Sequence, residues 1–244
     1  MKIVATIEAR MTSSRLPGKV LLQAAGKPML EHLVNRLQAV PSLDEIVLAT
    51  TINKTDDVLE DFAKKIGISC YRGSENDVMN RVIEAADSVD ADVIVEITGD
   101  CPIIDQQIVE QTIRMFNSNQ ADYVSNDHIQ SYPDGMDTQV FRLDTLKRSS
   151  AMTRDPLDQE HVTLHIRNNP ELFPPILLVA PPEIHWPGLG LTLDEPDDYE
   201  LIKRIIEHFE PTNPLFSCLD VIQLLNKKPD WLAINRAVLR KGDS

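Results

Sequence analysis

Lys2-Ile-Val-Ala-Thr-Ile7 runs directly into Glu8-Ala-Arg-Met-Thr-Ser-Ser-Arg-Leu-Pro-Gly-Lys19. The first stretch is short, apolar and β-branched, which predicts a buried strand. The second is a loop of mostly small residues that carries three cations, Arg10, Arg15 and Lys19. An amphipathic helical pattern begins soon after, at Pro28. A strand that opens into such a loop ahead of a helix is a place to hold polyphosphate, because backbone N–H groups and positive side chains can converge there on an anion. The loop has neither G-x4-G-K-[ST] nor G-x-G-x-x-G, so it is not a Walker P-loop or a dinucleotide fingerprint.

Outward from that stretch, strands and helices alternate. Ile46–Thr50, Ile68–Tyr71 and Val93–Ile97 read as further buried strands. Between them apolar residues recur with the 3.6-residue period: Met29, Leu30, Leu33, Leu37 and Val40; Val58, Leu59, Phe62, Ala63 and Ile66; Val78, Met79, Val82, Ile83 and Ala86; Ile108, Val109, Ile113 and Phe116. Thr55 is a candidate N-cap of the second helix and Gly67 stands just past its end. This alternation predicts an α/β fold with a mostly parallel central sheet and right-handed crossovers. Ligands of such sheets sit at the carboxyl ends of the strands, which would place the Arg10 loop, Arg72-Gly73 and Gly99-Asp100 along one edge.

After about residue 125 the rhythm changes. Asn126 to Gly135 is polar and turn-rich; Thr138–Phe141 and Ile176–Ala180 read as strands. Leu191–Leu193 is expected to return as a strand, Pro196 to open a helix through Phe209, and Leu219–Leu225 to form a short final helix. The chain is therefore read as one domain, 1–244. Residues 1–125 form a nucleotide-binding half, 126–185 a small α+β lobe for a second substrate or a homodimer contact, and 186–244 the returning strand and C-terminal helices.

The 244 residues suit a single sizeable core, and 42% hydrophobic with 25% charged residues is ordinary for a globular chain. A net charge of -14 argues against nucleic acid as a partner, since phosphate-backbone binding needs a basic face. It leaves room for a small anion, which responds to the local field of its cleft. Cys70, Cys101 and Cys218 are odd in number and form no CxxC pair, against a disulfide framework or structural zinc. A reducing cytoplasm is the expected compartment. No apolar run approaches the roughly 18 residues that span a membrane, and the N-terminal apolar run is too short for a signal peptide.

Thr98-Gly-Asp-Cys-Pro102 follows the fourth strand. Gly99 is expected to take an unusual backbone angle and Pro102 to fix the exit, which presents Asp100 at the strand end. Asp105 fits the cap of the next helix better by spacing, so Asp100 is left free for Mg2+, which commonly takes one or two carboxylates plus substrate phosphates. Asp194 supplies a second carboxylate, although Asp194-Glu-Pro196 also reads as a helix N-terminus. Cys101 reads as a small buried filler. Tyr71 to Asp77 lies where the third strand meets a helix, and its Arg72, Gly73 and Asp77 join Gly99 and Asp100 as candidates for the nucleotide. The same segment reads equally as capping by Ser74 or Asn76 with an Asp77–Arg81 surface pair. In the irregular region, Asp134, Asp137, Glu160 and His161 are the candidates for holding the second substrate.

Nearly end to end, the chain resembles the cytidylyltransferases that make CMP-activated acidic sugars, above all their spore-coat polysaccharide branch. The resemblance is carried by Ala9-Arg10…Arg15-Leu-Pro-Gly-Lys19, Gly26-Lys-Pro28, Tyr71-Arg-Gly73, Gly99-Asp-Cys-Pro102, Tyr132-Pro-Asp-Gly135, Glu160-His-Val-Thr163 and Leu193-Asp-Glu-Pro196. It implies a Rossmann-like nucleotide-diphospho-sugar transferase fold, with CTP and a small acidic sugar as substrates and Mg2+ as cofactor. It also implies that Ala9 and Arg10 face the cytosine, Arg15 and Lys19 the triphosphate, and Asp100 with Asp194 the metal; Arg15, Lys19 and Asp100 would be the catalytic residues. Glu8 stands where the octulosonate synthetases have proline, and Asp158-Gln159 where the spore-coat branch usually has an arginine. The other readings are transfer to a non-sugar acid, glycosyl transfer on a related fold, and a silent nucleotide-binding module.

Overall fold

A computed structural model describes residues 1–239. Its chain order is β1 (Ile3–Glu8), the hairpin β2 (Gln23–Ala24) and β3 (Lys27–Pro28), α1 (Met29–Gln38), β4 (Glu45–Thr51), α2 (Asp57–Ile66), β5 (Ser69–Gly73), α3 (Val78–Ser88), β6 (Val93–Thr98), α4 (Gln106–Ser118), β7 (Tyr123–Ser125) and β8 (Gln139–Arg142). Then follow α5 (Leu143–Met152), α6 (Pro156–Glu160), α7 (Leu164–Asn168), β9 (Pro175–Leu177), α8 (Pro196–Phe209), α9 (Cys218–Lys227) and α10 (Pro229–Leu232). One seven-stranded sheet runs β5-β4-β1-β6-β8-β7-β9. Its neighbours are parallel except at β8, which pairs antiparallel with both β6 and β7. The expected mostly parallel α/β sheet is thus present, and the 126–185 segment adds β8 and β9 to it.

Alternation along the strands builds the layers. Ile3, Ala5 and Ile7 of β1 with Val93, Val95 and Ile97 of β6 face one way, against Leu30, Leu33, Leu37, Leu59, Val109 and Ile113. Val4, Val47 and Ile94 face the other way, against Met79, Val82, Leu146 and Phe173. Each fully buried Leu or Ile contributes roughly 1.5–3 kcal/mol relative to exposure, so these two layers hold the sheet. A third cluster seats α8 and α9 on Leu191, Leu193, Met136 and Met29.

Several local expectations change. Leu191–Leu193 is no strand; it is an extended segment fixed by Leu191 N–H to Asp134 O at 2.8 Å and Leu193 N–H to Asp100 O at 2.8 Å. Asp56, not Thr55, precedes α2, after a short 3-10 turn that the apolar period does not register, while Gly67 closes it in the left-handed region. Val58 is exposed, because the face of α2 that meets the sheet is set by Leu59, Phe62 and Ala63. Asp105 does cap α4, accepting from Gln107 N–H.

Candidate active site

The carboxyl ends of β1 and β6 open a cleft of about 1050 Å³. Glycine makes their junction possible. A Cβ on Gly99 would stand 2.7 Å from Glu8 O and 3.0 Å from Ala9 Cβ, so this residue is required for space; its φ is not positive, contrary to expectation. Gly18 does adopt positive φ, +69°, and turns the cationic loop so that its N–H reaches Met11 O at 2.9 Å. Met11 N–H donates to Asp56 Oδ1 at 2.8 Å, which ties the loop down to the start of α2.

Lys19 is the centre of the site. Its ammonium lies 2.8 Å from Asp100 Oδ2 and 3.0 Å from Asp194 Oδ1, and Arg15 Nη2 lies 2.8 Å from the same Asp194 oxygen. The group is largely shielded from water; the Lys19 side chain is 12% exposed. Burial alone would lower the Lys19 ammonium, but Asp100 and Asp194 overcome it and hold the pKa above its ordinary value. Burial would likewise raise Asp100, and the Lys19 charge reverses this to keep the carboxylate ionised below its usual range. Asp194 has no capping duty: Glu195 is the N-cap of α8, in a reciprocal capping box with Asp198, and Pro196 follows at the first helical position. Two carboxylates facing one cation, with oxygen donors only, form a set that fits Mg2+ once substrate oxygens add to them. No group of three or more His, Cys, Asp or Glu that could hold a metal ion occurs among the described residues.

Arg10 reaches across the cleft to Glu75, Nη1 to Oε1 at 2.9 Å, and Thr12 Oγ1 joins the same carboxylate at 3.1 Å. Ala9, Arg10, Arg15, Lys19, Gly99, Asp100 and Asp194 all line the cleft, as do Asp134, Asp137, Glu160 and His161. Asp134 adjoins the Lys19 cluster, accepting from Thr192 Oγ1 at 2.9 Å two residues before Asp194. Arg72, Gly73 and Asp77 do not. The Arg72 guanidinium turns outward to Asp57 Oδ1 at 2.7 Å and Glu60 Oε2 at 2.9 Å. Asp77, rather than Ser74 or Asn76, caps α3 through Asn80 N–H. A Cβ on Gly73 would meet Arg81 Cγ at 3.0 Å. That contact marks what the segment supplies instead: Arg81, 3% exposed, which lies along the cleft wall and whose guanidinium donates to Ser74 O rather than pairing with the Asp77 carboxylate.

Other lining residues carry little sequence signal. Glu96 and Gln139 sit on β6 and β8, bonded Gln139 Nε2 to Glu96 Oε2 at 2.6 Å, and Thr163 Oγ1 donates to Gln139 Oε1 at 2.6 Å. Arg167 approaches Asp127 at 3.4 Å. Only the acid that interrupts Val93-Ile-Val-Glu-Ile97 could have drawn attention to Glu96. Burial, then Asp127 and Asp134, push the Asp137 carboxyl well up, toward the neutral acid. The Cys101 thiol is pushed well up by burial and then by Asp100, so it is no thiolate.

An α/β sheet whose first loop sets two basic side chains against two carboxylates at a strand-end cleft is the framework of a nucleotidyltransferase. The chain belongs to the cytidylyltransferase family, whose model matches residues 4–220. It is 35% identical over 242 residues to an uncharacterized protein of Methanocaldococcus jannaschii, covering 99% of this chain and 98% of that one. It is also 35% identical over 233 residues to the spore coat polysaccharide biosynthesis protein SpsF of Bacillus subtilis, covering 93% and 95% of the two chains. The solved structure of a cytidylyltransferase from Leptospira borgpetersenii superposes with a TM-score of 0.90 at 34% identity, over 95% of this chain and 97% of that one. No helix among the described residues is long and apolar enough to cross a membrane.

Proposed function

We propose that the protein transfers CMP from CTP to a hydroxyl of a small acidic sugar, of the ulosonic or nonulosonic type, with Mg2+ and release of pyrophosphate, in the making of a surface polysaccharide. The observation that carries this reading is the convergence of Arg15, Lys19, Asp100 and Asp194 at the mouth of β1 and β6. The reaction is an in-line displacement at the α-phosphorus. Arg15 and Lys19 exchange their carboxylate partners for the triphosphate and meet the charge that grows on the leaving pyrophosphate. Asp100 and Asp194, released from the ammonium, would hold Mg2+, which would supply charge neutralisation to the phosphate oxygens. A covalent enzyme intermediate is not part of the mechanism, and Cys101, buried and protonated, is no nucleophile for one.

Asp134, Asp137, Glu160 and His161 hold the acceptor in the same cleft. So many acids would repel an anion if all were ionised. The upward shift of Asp137, together with Arg167 and His161 among the lining residues, makes the cleft compatible with an acidic sugar. Pyrophosphate release measured with CTP, Mg2+ and a panel of eight- and nine-carbon acidic sugars tests the reading. Release with one of them supports it; release of a nucleoside diphosphate instead would make the protein a glycosyltransferase.

A further inference from the structure

Thr6 and Glu8 of β1 share one face of the sheet with Glu96 and Thr98 of β6, in the register Thr6 to Glu96 and Glu8 to Thr98. Glu8 and Glu96 are thus diagonal neighbours on adjacent strands, and both line the cleft. Glu8 Oε1 and Oε2 are shielded from solvent and no well-formed hydrogen bond reaches them, although the Thr6 hydroxyl stands close enough to pull the carboxyl down. The Glu8 and Glu96 carboxyls are near enough for each to act on the other's charge. Two ionised carboxylates have no donor between them, so the two can bond only when the pair holds a proton.

We propose that Glu8 and Glu96 act as one carboxyl pair, the base that receives the proton of the acceptor hydroxyl during transfer. This inference rests on the transferase reading above. The location suits it: Glu96 is tied through Gln139 to Thr163, which follows the acceptor segment Glu160-His161, and its carboxyl also feels the charge of Asp100 beside the phosphate site. In the step, the acceptor O–H bond breaks and its oxygen bonds the α-phosphorus. The bond from that phosphorus to the bridging oxygen breaks, pyrophosphate leaves with the electron pair, and the proton goes to the pair.

The surroundings set the working range. Burial and then Asp127 push Glu96 up to about 7, with Asp100 adding to the rise and Arg167 opposing it. Burial and then Glu96 raise Glu8 well above the ordinary carboxylate value, while Arg81 on α3 and Thr6 pull it down. A base with a pKa near the working pH accepts a proton efficiently and can give it up again to water. Near neutral pH the Glu96 carboxyl is therefore poised between its charged and neutral forms.

Glu96→Gln and Glu8→Gln test this by kcat against pH, beside carboxyl signals of 13C-glutamate protein without substrate. The wild type should show an acid limb in kcat near pH 7 and a carboxyl signal that titrates near neutrality. Glu96→Gln should lose both, with kcat down on the order of 10²-fold and the CTP KM little changed. A residue that only supports the fold would lower activity without moving the limb. Wild-type turnover with both variants keeping kcat and the same limb would overturn the base, as would the absence of any carboxyl titrating between pH 6 and 8. A wild type that releases no pyrophosphate with any acceptor would overturn the transferase reading, and the base with it.

Discussion

Lys19 keeps two carboxylates together that would otherwise repel each other, and so holds both at the mouth of the cleft. Asp100 and Asp194 each give an oxygen to the same ammonium, so both are aimed at one point in space. Asp100→Asn keeps the shape of the side chain and removes its charge. It should lower turnover by on the order of 10²-fold, comparable to losing one transition-state charge partner, with the enzyme still folded and its Mg2+ requirement raised in a metal titration. Asp194→Asn should do the same, because Glu195 rather than Asp194 caps α8 and the helix would be untouched. A variant at Asp194 with wild-type turnover and metal dependence would remove that residue from the site. Arg72→Ala offers the contrast: its guanidinium is bound to Asp57 and Glu60 outside the cleft, so CTP affinity measured by calorimetry should change less than twofold.

At the scale of the elements, one side chain couples two helices. Asp105 Oδ1 accepts from Gln107 N–H at 2.8 Å to cap α4, while its Oδ2 accepts from Cys218 N–H at 2.7 Å at the first residue of α9. It is 4% exposed, so Asp105→Ala removes a cap worth about 1 kcal/mol. It also leaves a buried N–H unpaired, at roughly 1–3 kcal/mol more. Urea unfolding of the alanine variant should show a loss on the order of 2–4 kcal/mol, and Asp105→Asn should recover much of it. The cap at Asp105 was legible from spacing alone, as were β1, β4, β5, β6 and the first four helices, because their apolar periods are strong and their ends are marked. The Leu191-Thr-Leu193 alternation misled, since a few residues of period two also describe an extended segment that finds no ladder. β7 and the β2–β3 hairpin escaped because two or three residues carry no period. In the site, Arg15, Lys19 and Asp100 were legible from local motifs. Glu96, Gln139 and Arg81 were not, because sheet register and helix packing bring them to the cleft from positions far apart in the chain.

Across the whole molecule the buried carboxyls give stability a pH dependence of unusual sign. Most native carboxylates are stabilised when ionised, and Asp100 follows that pattern: its depressed pKa adds stability that is present above the ordinary value of 3.8 and lost as pH falls. Glu96 does the reverse. Its folded carboxyl lies at about 7 against an ordinary 4.5, with burial the largest cause, so between those values the folded chain keeps a proton that the unfolded chain has released. Its contribution is complete below about pH 4.5 and drains away as pH rises through about 7. Glu8 and Asp137, raised mainly by burial, act in the same direction. His32 opposes them, since burial lowers its pKa and favours the neutral ring in the fold. The difference between wild type and Glu96→Gln therefore isolates the Glu96 contribution. Glutamine keeps the neutral, hydrogen-bonded form at every pH, so the variant should gain on the wild type in urea midpoint from pH 5 to about pH 7 and level off above it, with the two closest at the acid end. Parallel midpoints across that range would mean that Glu96 is ionised in the folded protein throughout.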